Sequence, residues 1–420
     1  MTVVEYLFSF DFGYHEVKNK IYNHPLEFLK LKTAKETFTA LIISCSDFDD
    51  AAHFHMQCSD GSQNWNMSIL KTLIKAKGEI DNDIYSDFAR LLAASSNVES
   101  ANIPSSVAGS GCSNCEGHKL QKKFKSMSME EALEWLQTTN MPSGDTFRQF
   151  LKRHGHRCIQ ESDVRSITWE MEPKSLVKLL QNLAGAGKEV AKNKNDIDNV
   201  LSELQVPLGF ISKCYLRFVL PMCRRGIRGR EAGKAITMKA FDHWRKGYRR
   251  LGKLMVSEGR LPDADLLYFF TLEEVKELLE TRSPGLISKA IHRRKMYPTL
   301  EKYVFPEIMK GLPKPINDED DSADAHEYVA DLTMKGTPVS QAWEILITLS
   351  TDIGWSPYFP IVSGVVTEIG GLISHGAVIS REYGIPCIVG LQGATKKFRT
   401  GDYILLDGKK GILQRLPQPE

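Results

Sequence analysis

His375 follows a glycine-containing stretch, Gly370-Gly371-Leu372-Ile373-Ser374, and leads into a run that ends at Gly384 and Pro386. Glycines at 370 and 371 let the backbone turn tightly and approach a ligand closely. Ser374 is a residue type that caps helix starts, while Gly384 and Pro386 are helix stops. The spacing predicts a helix over 376–383 with His375 at its first turn. Unsatisfied N–H groups and the positive end of the helix dipole gather there and favour an anion. A neutral imidazole is a competent nucleophile near pH 7. Two readings fit these residues: a histidine that accepts a phosphoryl group, or one that only caps a helix in an ordinary α/β domain.

The elements that would hold this histidine are short. Residues 344–349, 361–367, 385–390, 403–407 and 411–416 read as β-strands, alternating with glycines and the one helix. That pattern indicates a small α/β domain. Before it, Pro313 and Pro315 end any helix, and the acidic run NDEDDSADAHE over 317–327 has no apolar pattern. This run reads as an interdomain linker. Residues 1–316 read as mainly helical, with Ser128/Glu131 and Thr271/Glu274 as capping boxes.

The string from Thr367 to Gly390 resembles the mobile, swivelling phosphohistidine domain of the phosphoenolpyruvate-utilising enzymes. The matching residues are Thr367, Glu368, Gly370, Gly371, Ser374, His375, Ala377, Arg381, Glu382, Gly384, Ile385, Pro386 and Gly390. A tail follows at Gly401, Asp402, Asp407, Gly408 and Gly411, and Thr351-Asp352-Ile353-Gly354-Trp355-Ser356-Pro357 resembles the family's T-D-P-G-W-T-P segment. The resemblance implies that His375 takes a phosphoryl group and carries it to a second site. Thr367, Glu368, Gly370, Gly371, Ser374, Arg381 and Glu382 would support its loop or the phosphate. The expected organisation is a helical acceptor-binding domain over 1–316, the linker over 317–327, and the phosphohistidine domain over 328–420.

The helical part narrows the branch. Phe150 to Glu161 with Trp169 and Pro173, and Glu258 to Val275, resemble signatures of rifampicin phosphotransferase and related putative phosphoenolpyruvate synthases. The resemblance runs from about residue 80 to the C-terminus. It implies ATP and Mg²⁺, bound by an ATP-grasp domain for which this sequence shows no phosphate loop and no run of acidic ligands. Loading of His375 is then expected to need such a domain, or a full-length homologue, in trans. After Gly336-Thr-Pro-Val-Ser340 the family pattern continues through further strands, whereas here only Gln341, Ala342 and Trp343 intervene. Strands are therefore expected to be missing near 340–343, as in a fragment or splice product. The function expected is phosphoryl transfer from ATP through phosphohistidine to a small-molecule acceptor. The alternative is a catalytically inactive truncated chain that serves as a binding or regulatory partner.

Other residues leave their readings open. His154, His156, Arg157 and Glu161 cluster in one segment, and Arg228 and Glu231 lie in another. Each set could line an acceptor or docking site, or form a buried polar network. Between Lys213 and Arg260 there are 14 Lys/Arg against three acids. That balance suits an anionic ligand, an interdomain face or simply solvent, and no nucleic-acid motif accompanies it. Cys112 and Cys115 with His118 make half a zinc site, and no second pair is near in sequence. Apolar content of 42% and a net charge of +2 are ordinary for a soluble globular protein. No segment is long and apolar enough to span a bilayer. The eight cysteines are expected to be reduced thiols of a cytoplasmic protein, with no metal bound.

Overall fold

The computed structural model describes residues 3–93, 122–183, 197–300, 303, 305, 311–312, 314–315, 344–408 and 410–417. Cys112, Cys115, His118, Pro313, the acidic linker over 317–327 and the stretch 336–343 lie outside the described residues.

The described chain is mainly helical and ends in a small α/β region. Its helices are α1 Val3–Tyr22, α2 Ala34–Lys77, α3 Asn82–Ala93, α4 Met129–Thr138, α5 Pro142–His154, α6 Lys174–Leu183, α7 Ile197–Ser202, α8 Phe210–Ser257, α9 Leu272–Thr281 and α10 Pro284–Leu300. The α/β region runs β1 Ile345–Thr348, a 3-10 helix Ile353–Tyr358, β2 Gly364–Thr367, α11 His375–Tyr383, β3 Cys387–Val389, α12 Ala394–Lys397, β4 Ile404–Asp407 and β5 Ile412–Arg415.

The chain divides into two compact units. The first comprises Met1–Lys18, Ala51–Lys239 and Leu332–Glu420; the second comprises Asn19–Asp50 and Ala240–Asp331. In the first unit, β1, β2 and β3 form a parallel sheet with β2 in the middle, Val365 lying opposite both Leu346 and Cys387. All four residues of β2 are buried, as a central parallel strand covered on both faces requires. Strands β4 and β5 pair antiparallel.

Helical and α/β residues share one core in this unit. Ile69 and Leu73 of α2, Ile84 and Leu91 of α3, and Leu216, Leu220 and Cys223 of α8 pack with Val365, Val378 and Ile379. Burying each large aliphatic side chain contributes about 1.5–3 kcal/mol. A second cluster joins α4, α5 and α6 through Leu136, Phe150 and Leu176, and takes in Ile353. The Ser128/Glu131 capping box is formed in both directions.

In the second unit the Thr271/Glu274 capping box is likewise complete. Glu274 also pairs with Lys289 at 2.5 Å and with Arg293, and these cations outweigh its partial burial to hold its carboxyl down at about 2. Gly247 leaves room for Phe28 and Leu41, since a Cβ there would lie 2.9 Å from the Phe28 ring. The residues between Glu258 and Val275 that carry the family signature have structural partners here. Glu258 accepts from the Ala34 N–H at 2.6 Å, and Asp263 caps Leu266 at 3.0 Å.

Candidate phosphohistidine site

Strand β2 delivers the chain to Thr367, and the turn beyond it depends on Gly370, whose φ is 138°. A Cβ on Gly370 would come within 3.0 Å of Ser374 Oγ, so the close approach needs glycine. Gly371 has open space around it. Helix α11 then begins at His375, one residue ahead of the expected start, and stops at Gly384 with φ 63°. Ser374 occupies the N-cap position in extended backbone, but its hydroxyl makes no capping bond. Gly376 is the second helical residue, and a Cβ there would lie 2.6 Å from Thr351 Oγ1.

His375 is buried at 6% exposure; Nε2 is within hydrogen-bond reach of a hydroxyl, while Nδ1 makes no hydrogen bond but lies near a carboxylate. Nε2 lies 3.3 Å from Ser356 Oγ in the 3-10 helix, and Nδ1 lies 3.5 Å from Glu231 Oε2 on α8. The Phe359 ring meets the imidazole edge-on at 6.2 Å. Glu231 is itself buried and accepts from Arg230 at 2.8 Å. Burial alone would push its carboxyl up, but His375 and then Arg230 outweigh that, holding it well below the usual carboxylate range. An ionised Glu231 beside Nδ1 favours a proton on that nitrogen, a tautomer in which Nε2 would accept from the Ser356 hydroxyl.

The segment around residues 154–161 meets the same loop. His154 and Arg157 are buried, and Arg157 pairs with buried Glu161 at 3.0 Å. The Glu161 N–H donates to Asp352 Oδ2 at 3.3 Å, while Asp352 Oδ1 caps Gly354 at 3.0 Å. Burial and the Glu161 charge raise the Asp352 carboxyl, against the pull of Lys234 and His375. Gly354 sits directly on the Cys158 carbonyl, where any Cβ would collide. The Arg157–Glu161 pair therefore braces the loop that presents Ser356. His154 packs its ring 5.2 Å from that of Phe150.

Of the remaining candidates, Glu231 reaches His375, whereas Arg228 is exposed on α8. Glu368 accepts from the Thr395 N–H at 2.7 Å and so secures the start of α12. Thr367 is buried, and Arg381 and Glu382 are partly buried in the last turn of α11. Four cations of the basic stretch meet its own acids: Arg230 meets Glu231, Arg245 and Lys246 meet Asp242, and Arg260, just past α8, meets Glu258. Sequence reasoning missed Ser356 as a partner of His375 and Asp352 as the link to Glu161. Both fall inside the T-D-x-G-W-x-P segment, which was the available signal.

Comparison with known proteins places the chain. The model of the rifampicin phosphotransferase fourth domain matches residues 55–231, and that of the PEP-utilising enzyme mobile domain matches residues 341–411. Rifampicin phosphotransferase of Bacillus cereus is 28% identical over 305 residues, covering 65% of this chain and 34% of that protein. That of Streptomyces sviceus is also 28% identical over 305 residues, with the same coverage. A prodigiosin synthesizing transferase of Serratia marcescens is 45% identical over 74 residues, 17% of this chain and 8% of the relative. These matches make the chain similar to the PEP-utilising enzymes and rifampicin phosphotransferase-like, and it spans about a third (34%) of the length of the rifampicin phosphotransferases it matches.

Among the described residues no group of three or more His, Cys, Asp or Glu gathers to hold a metal ion, so no step through Mg²⁺ is derived from them. None of their helices is long and apolar enough to cross a membrane. Cys45, Cys58, Cys158, Cys214, Cys223 and Cys387 are free thiols.

Proposed function

We propose that the chain is the acceptor-side part of a phosphotransferase, in which His375 carries a phosphoryl group from ATP to a small-molecule acceptor. The observation that supports this most is the placement of His375 between Glu231 and Ser356 at the start of α11. Glu231 keeps the proton on Nδ1, so Nε2 is the attacking nitrogen. When Nε2 forms its bond to phosphorus, the P–O bond to the donor breaks, and the ring becomes a cation that the Glu231 carboxylate stabilises. Transfer onward reverses these roles: Nε2 leaves, and an acceptor hydroxyl takes the phosphoryl group.

The loop residues Thr367, Gly370, Gly371 and Ser374 would shape the space around the phosphoryl group, with Glu368 securing the loop from behind. Ser356 Oγ lies against Nε2 within the same α/β region, so the hydroxyl must turn aside before Nε2 can reach a phosphoryl donor. ATP and Mg²⁺ would be held by an ATP-grasp domain, supplied within a longer polypeptide or in trans. The site would work in the cytoplasm, with its thiols reduced.

The test uses this chain, the isolated ATP-grasp domain of a relative shown to be active, and ATP labelled in its β-phosphate. Acid-labile label on the wild-type chain and none on His375→Ala is expected. No label on either chain would overturn the carrier reading and leave a binding or regulatory role.

A further inference from the structure

Ser356 is wholly buried, at 0% exposure, inside the 3-10 helix Ile353–Tyr358. Its hydroxyl oxygen lies 3.3 Å from Nε2 of His375. The turn that carries it is fixed at its start: the Gly354 N–H donates to Asp352 Oδ1 at 3.0 Å, and Gly354 rests on the Cys158 carbonyl. Across the imidazole, Glu231 Oε2 lies 3.5 Å from Nδ1. Phe359, also 0% exposed, meets the ring edge-on. An alcohol is thus held, away from bulk water, against the nitrogen that carries the phosphoryl group in the carrier reading above.

The contact has a direction. A hydrogen bond from Ser356 reaches Nε2 on its lone-pair side, and a phosphorus bonded to Nε2 lies on that same side. The serine oxygen then faces phosphorus from opposite the ring, which is the approach an in-line displacement needs. Reacting atoms in a near-attack arrangement stand about 3–3.5 Å apart, and well-oriented intramolecular groups reach effective molarities of roughly 10⁵–10⁸ M. With Nε2 only 3.3 Å away, the hydroxyl has to draw back to make room for phosphorus between them, not travel to meet it. Water reaches the same nitrogen only through a residue that is 6% exposed. Transfer to serine therefore outruns hydrolysis whenever the loaded ring occupies this seat.

We propose that phosphorylated His375 passes its phosphoryl group to Ser356 when no acceptor takes it, and that this switches the carrier off. The step rests on the carrier reading. Ser356 Oγ forms its bond to phosphorus, the P–Nε2 bond breaks, and the hydroxyl proton moves to Nε2. The products are a phosphoserine and an imidazolium, the latter beside the Glu231 carboxylate. A phosphate ester is more stable than the P–N bond it replaces, so the transfer runs downhill. It leaves a charge of about −1.5 to −2 beside Nε2, which repels an incoming phosphoryl donor. A hydroxyl at 0% exposure offers no hold to a separate protein kinase, so the donor has to be internal.

Phosphoramidate, which passes its phosphoryl group to Nε2 with loss of ammonia, loads the full chain without an ATP-grasp domain. Excess reagent is removed, the acid-labile and acid-stable phosphate on the chain are followed in time, and peptide mass spectrometry places each. Acid-labile phosphate on His375 is expected to fall as acid-stable phosphate appears on Ser356, at a rate independent of protein concentration. His375→Ala is expected to carry no phosphate on Ser356. Ser356→Ala is expected to keep the histidine label, to hold it longer and to lose the stable one. Ser356→Thr, which keeps a hydroxyl, is expected to retain the stable label.

Histidine label that decays to inorganic phosphate in the wild type, with no phosphoserine, would overturn the proposal and leave the carrier reading standing. Phosphate that still reaches Ser356 in His375→Ala would overturn it too, because the reagent and not His375 would then be the donor. No phosphate on His375 in the wild type, with exposed histidines such as His53 labelled, would overturn this proposal and the carrier reading together. The wild-type measurement identifies the phosphorylated residue by itself, so the outcome does not hang on the folding of any variant.

Discussion

Oε2 of Glu231, on the long helix α8, lies 3.5 Å from Nδ1 of His375, at the first turn of α11. A carboxylate at this position favours the proton on Nδ1. Removing it should change where the ring reacts. In Glu231→Ala, phosphoramidate is expected to label both ring nitrogens, whereas the wild-type chain is labelled at Nε2. Phosphorus NMR distinguishes the two isomers, and an unchanged Nε2 preference in the variant would refute the assignment.

The same contact makes a pH prediction. The folded-state pKa of Glu231 is depressed, so its contribution to stability is present above the ordinary carboxylate value and is lost as pH falls below it. Urea unfolding of the wild type should therefore lose stability on acidification from pH 5 toward pH 3, and Glu231→Gln should show a smaller loss. Equal slopes for the two proteins would show that Glu231 is not ionised in the folded chain.

Arg157 and Glu161 form a buried pair, with side chains only 4% and 2% exposed. Removing one partner strands a buried charge and should cost about 3–5 kcal/mol, while replacing both with apolar residues of similar volume should cost much less. A double-mutant cycle in urea with Arg157→Met and Glu161→Leu measures this. Additive single effects would mean that the two charges are not coupled.

Gly354 on the Cys158 carbonyl and Gly376 beneath Thr351 are sites of backbone approach. Alanine at either position should destabilise by about 1–3 kcal/mol through overpacking. Gly371→Ala, which meets open space, should stay within about 0.5 kcal/mol. Thermal melts of the three variants rank them.

Much of this arrangement could be read from sequence because its signals are local. The capping boxes at Ser128 and Thr271, the stop at Gly384, and the strands at 345–348, 364–367 and 387–389 each depend on residues within a few positions. Their patterns of turn residues and apolar runs fix them without tertiary help. What was hidden is long-range. Nothing near Glu231 tells it from Arg228, which lies less than one helical turn earlier and points to solvent. Only the packing of α11 against α8 separates the two. Ser356 was concealed for the same reason, since a serine in a 3-10 turn has no periodicity that declares its partner.

The seclusion of His375 has a practical use. With 6% of its surface reachable and both nitrogens in contact, the imidazole should react sluggishly with an acylating reagent such as diethyl pyrocarbonate. An exposed histidine such as His53 should react faster. The ratio of those two rates then gauges how often the α/β region detaches from α8, making the reactive residue an intrinsic reporter of its own domain's excursions.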